Sequence, residues 1–155
     1  MNRDLAKMMV VERHRASGEI GRGFARGFKL RCGAIGSSVA HDAHNLIAVG
    51  MNDDDILVAL KRLQELQGGW VVVNGGRVLA EVPLPIAGLV TDAPAETAAE
   101  QLRVLTEAAR GLGCEFAQPF MCLAFLSLSV IGKLKLTNLG LVDVEQFKVI
   151  PLTAE

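Results

Sequence analysis

The sequence predicts an α/β (α+β) fold in which a mixed β-sheet carries at least two amphipathic helices, forming a single domain over residues 1–155. Three features support this. Two segments repeat apolar residues at helical spacing, a Gly-Gly turn joins two β-branched runs, and short apolar stretches are bounded by glycine, asparagine and aspartate. With 155 residues, 50% hydrophobic and 21% charged, the chain can bury one core and lies far from the polar composition that keeps chains disordered.

In chain order, Leu5 to His14 contains Met8, Met9, Val10 and Val11 and is expected to be a strand. Gly18, Gly21, Gly23 and Gly27 then recur around Phe24 and Phe28, and this permissive backbone is expected to form a loop or an irregular hairpin arm. Gly33 to Ala40 and Leu46 to Gly50 are short apolar stretches, each expected to be a strand, on either side of a polar cluster. A helix is expected from Asn52 or Asp53, where the side chain caps exposed amides and Asp54 and Asp55 complement the positive helix end. Its core face is Ile56, Leu57, Leu60, Leu63 and Leu66, and Gly68-Gly69 is its left-handed stop.

Trp70 to Val73 and Arg77 to Val82 flank Asn74-Gly75-Gly76, the chemistry of a tight hairpin whose central residues take positive φ. Pro83 and Pro85 end the second strand, because proline cannot donate to a ladder. A short apolar segment, Ile86 to Val90, follows. A second helix is expected near Pro94, with Ala98, Leu102, Leu105, Ala109 and Leu112 on one face and Gly111 and Gly113 at its end. Pro119 to Leu128 reads as a buried helix and Leu141 to Ile150 as a closing strand. Internal repeats and long linkers are not evident.

Several function classes are disfavoured. The opening Met1-Asn2-Arg3-Asp4 is charged where an export signal needs an apolar core, so a cytoplasmic location is expected. The apolar run Phe120 to Ile131 falls short of the ~20 residues needed to span a bilayer. Cys32, Cys114 and Cys122 form no C-x-x-C pair and read as reduced, buried small hydrophobes. Net charge is −1 but uneven: residues 1–31 carry eight Lys/Arg against three Asp/Glu, the remainder eight against fourteen. Such polarity serves attraction between the two regions or to a neighbouring domain, and a nucleic-acid partner is disfavoured by one tryptophan, no tyrosine and a negative total. Gly21-Arg22-Gly23 followed by Gly27 is one residue too long for the dinucleotide fingerprint, and Ser37-Ser38 lacks a nucleophile elbow.

The candidate chemistry lies in Ser38-Val39-Ala40-His41-Asp42-Ala43-His44-Asn45. All three histidines fall within the first 44 residues: His14, His41 and His44. His41, His44 and Asp42 offer two imidazoles and a carboxylate, which can ligate a metal if Glu12 or His14 supplies a third protein ligand. Two other readings stand beside this one. His, Asp and Asn can satisfy one another and the loop amides at a buried turn, or they can contribute to an active site shared with another domain.

The ordered series Glu12-Arg13-His14, Gly21 to Phe28, Gly33-Ala34-Ile35, Ser38 to Asn45, Asn52 to Asp55, Gly68-Gly69 and Pro83 to Leu89 resembles the C-terminal domain of bacterial and archaeal adenine deaminases. The resemblance continues through Pro119-Phe120-Met121, Leu134 to Thr137 and Gly140 to Val144. Departures are Ala43 for a usual serine, Ser129 and Gly132-Lys133 where prolines and an acidic residue are usual, and Asn138-Leu139 for a charged pair. The resemblance implies the amidohydrolase superfamily, with adenine and water converted to hypoxanthine and ammonia in purine salvage. It also implies manganese or iron held in a (β/α)₈ barrel that this chain lacks. The barrel ligands include a His-x-His pair, which does not occur here, nor does the His-x-Glu and Pro-Cys-x-x-Cys signature of the zinc nucleobase deaminases. The chain alone is therefore expected to bind no cofactor and to need an amidohydrolase barrel partner. His41, Asp42, His44 and Asn45 are then expected to face or brace the barrel's active site, and a homo-oligomer is compatible with this. The alternative is a free-standing interaction or purine-binding module without the catalytic barrel.

Overall fold

The computed structural model describes residues 4–153; Met1 to Arg3, part of the charged opening noted above, lie outside the described residues, as do residues 154 and 155. Among the described residues, nine strands and three α-helices run in the order β1 (Leu5–Val11), β2 (Ile20–Arg26), β3 (Ala34–Ser37), β4 (Leu46–Gly50), α1 (Asp53–Glu65), β5 (Gly69–Asn74), β6 (Arg77–Pro83), α2 (Ala95–Gly111), α3 (Pro119–Ala124), β7 (Leu134–Thr137), β8 (Gly140–Asp143) and β9 (Lys148–Ile150). The expected α+β fold with helices packed on a sheet is observed. Six strands form one sheet in the order β2-β1-β4-β3-β5-β6, three form a second in the order β7-β8-β9, and the pairings are antiparallel.

The large sheet is covered on both faces at its centre, which is why β3 and β4 read as continuous apolar runs. Met8, Val10, Ile35, Ile47, Val49 and Val72 point to one side, where they pack with Leu105 and Ala109 of α2, Phe120 and Leu123 of α3 and Leu136 of β7. Ala34, Leu46, Ala48, Val71 and Val73 point to the other side, beneath Ile56, Ala59 and Leu63 of α1. The helix α1 starts where Asn52 accepts from the Asp55 N–H at 2.8 Å and donates back to its carboxylate at 2.8 Å, a reciprocal cap contributing about 1 kcal/mol. Of its expected core face, Ile56 and Leu63 are buried while Leu57 is exposed, and Ala59 takes an inward position. In α2, Leu105 and Ala109 are buried, as is Leu112 at its C-terminal cap, whereas Leu102 reaches solvent.

Three expectations are corrected. The glycine-rich segment is no loop or irregular arm: it forms β2, paired in register with β1 from Val11↔Ile20 to Leu5↔Arg26. Its glycines answer to close packing, since a Cβ on Gly21 would lie 1.7 Å from the Thr137 carbonyl oxygen and one on Gly23 would lie 3.3 Å from Leu136. The closing strand Leu141 to Ile150 is broken into β8 and β9 by a turn in which Asp143 accepts the Gln146 N–H at 3.0 Å and Phe147 takes φ 51°. The helix from Pro119 stops at Ala124 and tightens into a 3₁₀ turn over Phe125–Ser127. There Lys135 Nζ donates to the Phe125 carbonyl at 2.7 Å, and Met121 is exposed. The Gly75-Gly76 hairpin stands as expected, with φ 57° and 75°. Among the described residues no helix is long and apolar enough to cross a membrane.

Candidate functional site

Strand directions bring the polar segments together. In the antiparallel order of the large sheet, the ends of β1, β3 and β6 and the starts of β2, β4 and β5 share one edge of the molecule. The connections 12–19, 38–45, 66–68 and 84–90 therefore gather there. Three of the segments that carry the resemblance, Glu12 to His14, Ser38 to Asn45 and Pro83 to Leu89, lie more than seventy positions apart at their extremes yet meet at this end.

Arg13 is the joint between them. Its Nε donates to the His44 carbonyl at 2.5 Å and its Nη2 to the Ala87 carbonyl at 2.7 Å, linking the end of β1 to two other loops. The guanidinium passes over Gly88, where a Cβ would lie 2.5 Å from Nη1. Ser38, fully buried, completes the brace from below: its Oγ donates to the Gly88 carbonyl at 2.6 Å and accepts from the Gly69 N–H at 2.8 Å. A cavity of about 240 Å³ opens beside Arg13, lined also by Leu46, Leu63, Gln64, Gln67 and Gly68.

The four expected site residues divide. His41 and His44 are half-buried with ring centroids 5.3 Å apart, and His41 also lies 5.1 Å from the Phe125 ring. The backbone of His41 is held on both sides: its N–H donates to the Ala124 carbonyl at 3.0 Å and its carbonyl accepts from Ser127 Oγ at 3.0 Å. The peptide bond from His41 to Asp42 is cis. Asp42 is exposed in the turn. Asn45 is buried and structural in its bonding. Its Oδ1 accepts from the Arg13 N–H at 3.4 Å and its Nδ2 donates to Asn138 Oδ1 at 3.0 Å, and Asn138 in turn donates to Glu19 at 2.8 Å. This link gives Asn138, one of the departures, a definite task.

His44 takes φ 50°, and its Nδ1 accepts the Ala40 N–H at 3.3 Å, so the neutral ring carries its proton on Nε2. Burial pushes its pKa below the ordinary 6.5, the neighbouring His41 and Arg13 push it further, and Asp42 opposes them. The ring is thus a neutral hydrogen-bond donor near pH 7. His14 donates through Nε2 to the Ala43 carbonyl at 2.7 Å.

Glu12 is committed elsewhere. Its carboxylate accepts the N–H groups of His14, Arg15 and Ser17, and although desolvation works against it, these bonds lower its pKa. Glu12 therefore shapes the turn after β1 instead of serving as the third ligand proposed for it. Among the described residues no group of three or more His, Cys, Asp and Glu side chains converges as a metal site, so the donor set here does not fit the manganese or iron of the resemblance. Sequence reading missed Arg13 as the joint; an arginine beside a histidine carries no spacing signal, and only the strand order places it against residues 44 and 87.

The sequence profile of the adenine deaminase C-terminal domain matches residues 1–148. Relatives named adenine deaminase include one from Dehalococcoides mccartyi, 52% identical over 97% of this chain and 26% of the relative. Others are one from Moorella thermoacetica, 53% identical over 96% and 25%, and one from Archaeoglobus fulgidus, 51% identical over 100% and 28%. The chain thus spans about a quarter of the length of the relatives it matches. With nearly every residue of the described fold inside that match, the chain belongs to the adenine deaminase C-terminal domain family.

Proposed function

We propose that this chain works as the C-terminal part of a cytoplasmic adenine deaminase in purine salvage, with adenine and water giving hypoxanthine and ammonia. The observation that carries this reading is the match of nearly the whole chain, at about half identity, to only a quarter of proteins named for that activity. The metal, manganese or iron, belongs to an amidohydrolase barrel outside these residues.

The role assigned to this chain is to close one side of the adenine site. In the reaction water adds at C6 and the amino group leaves as ammonia, so proton donors and fixed dipoles near the ring assist. His44 suits that task as a neutral donor at Nε2, with the His41 ring packed against it and the Phe125 ring packed in turn against His41. Arg13, itself tied to Asn45, holds the backbone that presents the His44 ring, and Ala124 and Ser127 hold that of His41.

The test uses a chimera in which this chain replaces the matching quarter of the Dehalococcoides mccartyi relative, loaded with manganese. We expect the chimera to deaminate adenine and the isolated 155-residue chain not to. His41→Ala and His44→Ala are expected to lower kcat at least tenfold with the far-ultraviolet spectrum unchanged. Full activity in both variants would assign the cluster a structural role, and turnover by the isolated chain would overturn the division of labour. An active-site role that survives in the chimera also separates this reading from a free-standing purine-binding module.

A further inference from the structure

Residues 86–90 form a very small, rigid hairpin at the same end of the sheet. Ile86 and Val90 pair across an isolated bridge, each N–H donating to the other's carbonyl at 3.1 Å. The turn between them holds Ala87 at φ 57° and Gly88 at φ 73°. An alanine in the left-handed region crowds its Cβ against the following carbonyl, so the conformation persists because its surroundings hold it. Those surroundings are Arg13 on the Ala87 carbonyl, Ser38 on the Gly88 carbonyl, and Leu84, whose N–H donates to the Gly68 carbonyl at 3.1 Å.

This braced turn presents apolar side chains to solvent. Ile86 is 53% and Val90 54% exposed, side by side on the bridge. A turn fixed by these five hydrogen bonds and flanked at its bridge by two exposed β-branched side chains is unusual for a surface that meets only water. Its entropy of ordering is already lost, which is the property that makes a surface anchor effective in binding. The anchor also stands one guanidinium away from His44, since Arg13 bonds both the His44 and Ala87 carbonyls.

We infer that the Ile86/Val90 knob is the anchor by which this domain docks on the rest of an adenine deaminase chain, setting His41 and His44 against the partner. The occupant follows from length: the relatives have about three quarters of their chain outside the matched segment, and the knob adjoins the polar cluster that the proposed function turns toward that portion. This inference rests on that reading for the identity of the partner, but its surface is tested separately.

Hydrogen exchange by mass spectrometry on the isolated chain and on the chimera tests it. Segments 38–45 and 84–90 are expected to exchange at least tenfold more slowly in the chimera. Ile86→Glu is expected to abolish that protection and Ile86→Ala to reduce it, while Leu79→Glu and Phe147→Glu, at positions 50% and 79% exposed elsewhere, leave it intact. Equal exchange in the isolated chain and in an active chimera would overturn the docking surface while leaving the proposed function standing. Protection in a chimera that does not deaminate adenine would keep the surface and reject the function. Sedimentation of the isolated chain covers the remaining occupant: a dimer dissolved by Ile86→Glu would assign the knob to a second copy and overturn the inference.

Discussion

Replacing Gly21 by alanine adds one methyl group at the tightest contact between the two sheets. The new Cβ would lie 1.7 Å from the Thr137 carbonyl oxygen and 2.9 Å from its carbonyl carbon, both backbone atoms of a strand end that cannot rotate away. Either β2 or the β7–β8 hairpin must shift by more than an ångström. Overpacking of this kind costs ~1–3 kcal/mol, and a clash with backbone on both sides belongs at the upper end, about 3 kcal/mol. In urea, with a slope of about 2 kcal/mol/M, the unfolding midpoint is expected to fall by roughly 1.5 M. Two glycines calibrate the result. Gly75 has open space but φ 57°, so Gly75→Ala is expected to cost only about 1 kcal/mol, from backbone conformation alone. Gly111 ends α2 with open space and no left-handed φ, so Gly111→Ala is expected to stabilise by roughly 0.5 kcal/mol. Equal costs for Gly21→Ala and Gly75→Ala would refute the account of β2 as a strand made glycine-rich by the sheet lying on it.

Further outcomes follow from the bonding. Arg13→Ala is expected to destabilise by about 2 kcal/mol in the same urea assay, through two lost charge-assisted bonds, and Arg13→Lys to restore less than half, because an ammonium lacks the fork that reaches both carbonyls. The depressed pKa of His44 means the unfolded chain binds its proton first. The stability linked to His44 is therefore present above pH 6.5 and lost as pH falls through the lower folded value; a His44→Asn variant, which tolerates the left-handed φ, is expected to flatten that part of a stability–pH profile. Two carboxylates act at lower pH. Burial alone would raise Asp55, but the Gly76 N–H, the Asn52 amide and the Gly75 N–H together hold it below 3.8; the Arg62 guanidinium, bonded at 2.7 Å through two nitrogens, holds Glu81 below 4.5 despite burial. Their contribution is present above those values and lost as pH falls through the folded ones, so Glu81→Gln is expected to lower stability at pH 7, with the deficit shrinking as pH falls through the folded value and the acid-unfolding midpoint moving no lower.

What was legible in the sequence was whatever a local rule decides. Asn52 with Asp55, the Gly75-Gly76 turn and the helical spacing of Leu105 and Ala109 each depend on neighbours within a few positions, and each appears as expected. The misread segments depend on distant partners. Gly21 and Gly23 read as flexible because nothing near them in sequence announces Thr137 and Leu136. The break between β8 and β9 depends on Asp143 turning back on Gln146 in a stretch whose apolar content suits one strand as well as two. At the candidate site the histidines drew attention by clustering, whereas Arg13, Ser38 and Asn138 act through backbone carbonyls or a single amide that only the sheet order brings within reach.

That reliance on the main chain separates support from identity at the loop end. Arg13, Ser38, Ser127 and His14 hold positions 41, 43, 44, 87 and 88 by their carbonyl oxygens, which every amino acid possesses. The side chains of Asp42 and Ala43 take no part in these bonds. Substitutions at positions 42 and 43 are therefore expected to leave the loop frame, and with it the unfolding midpoint in urea, nearly unchanged.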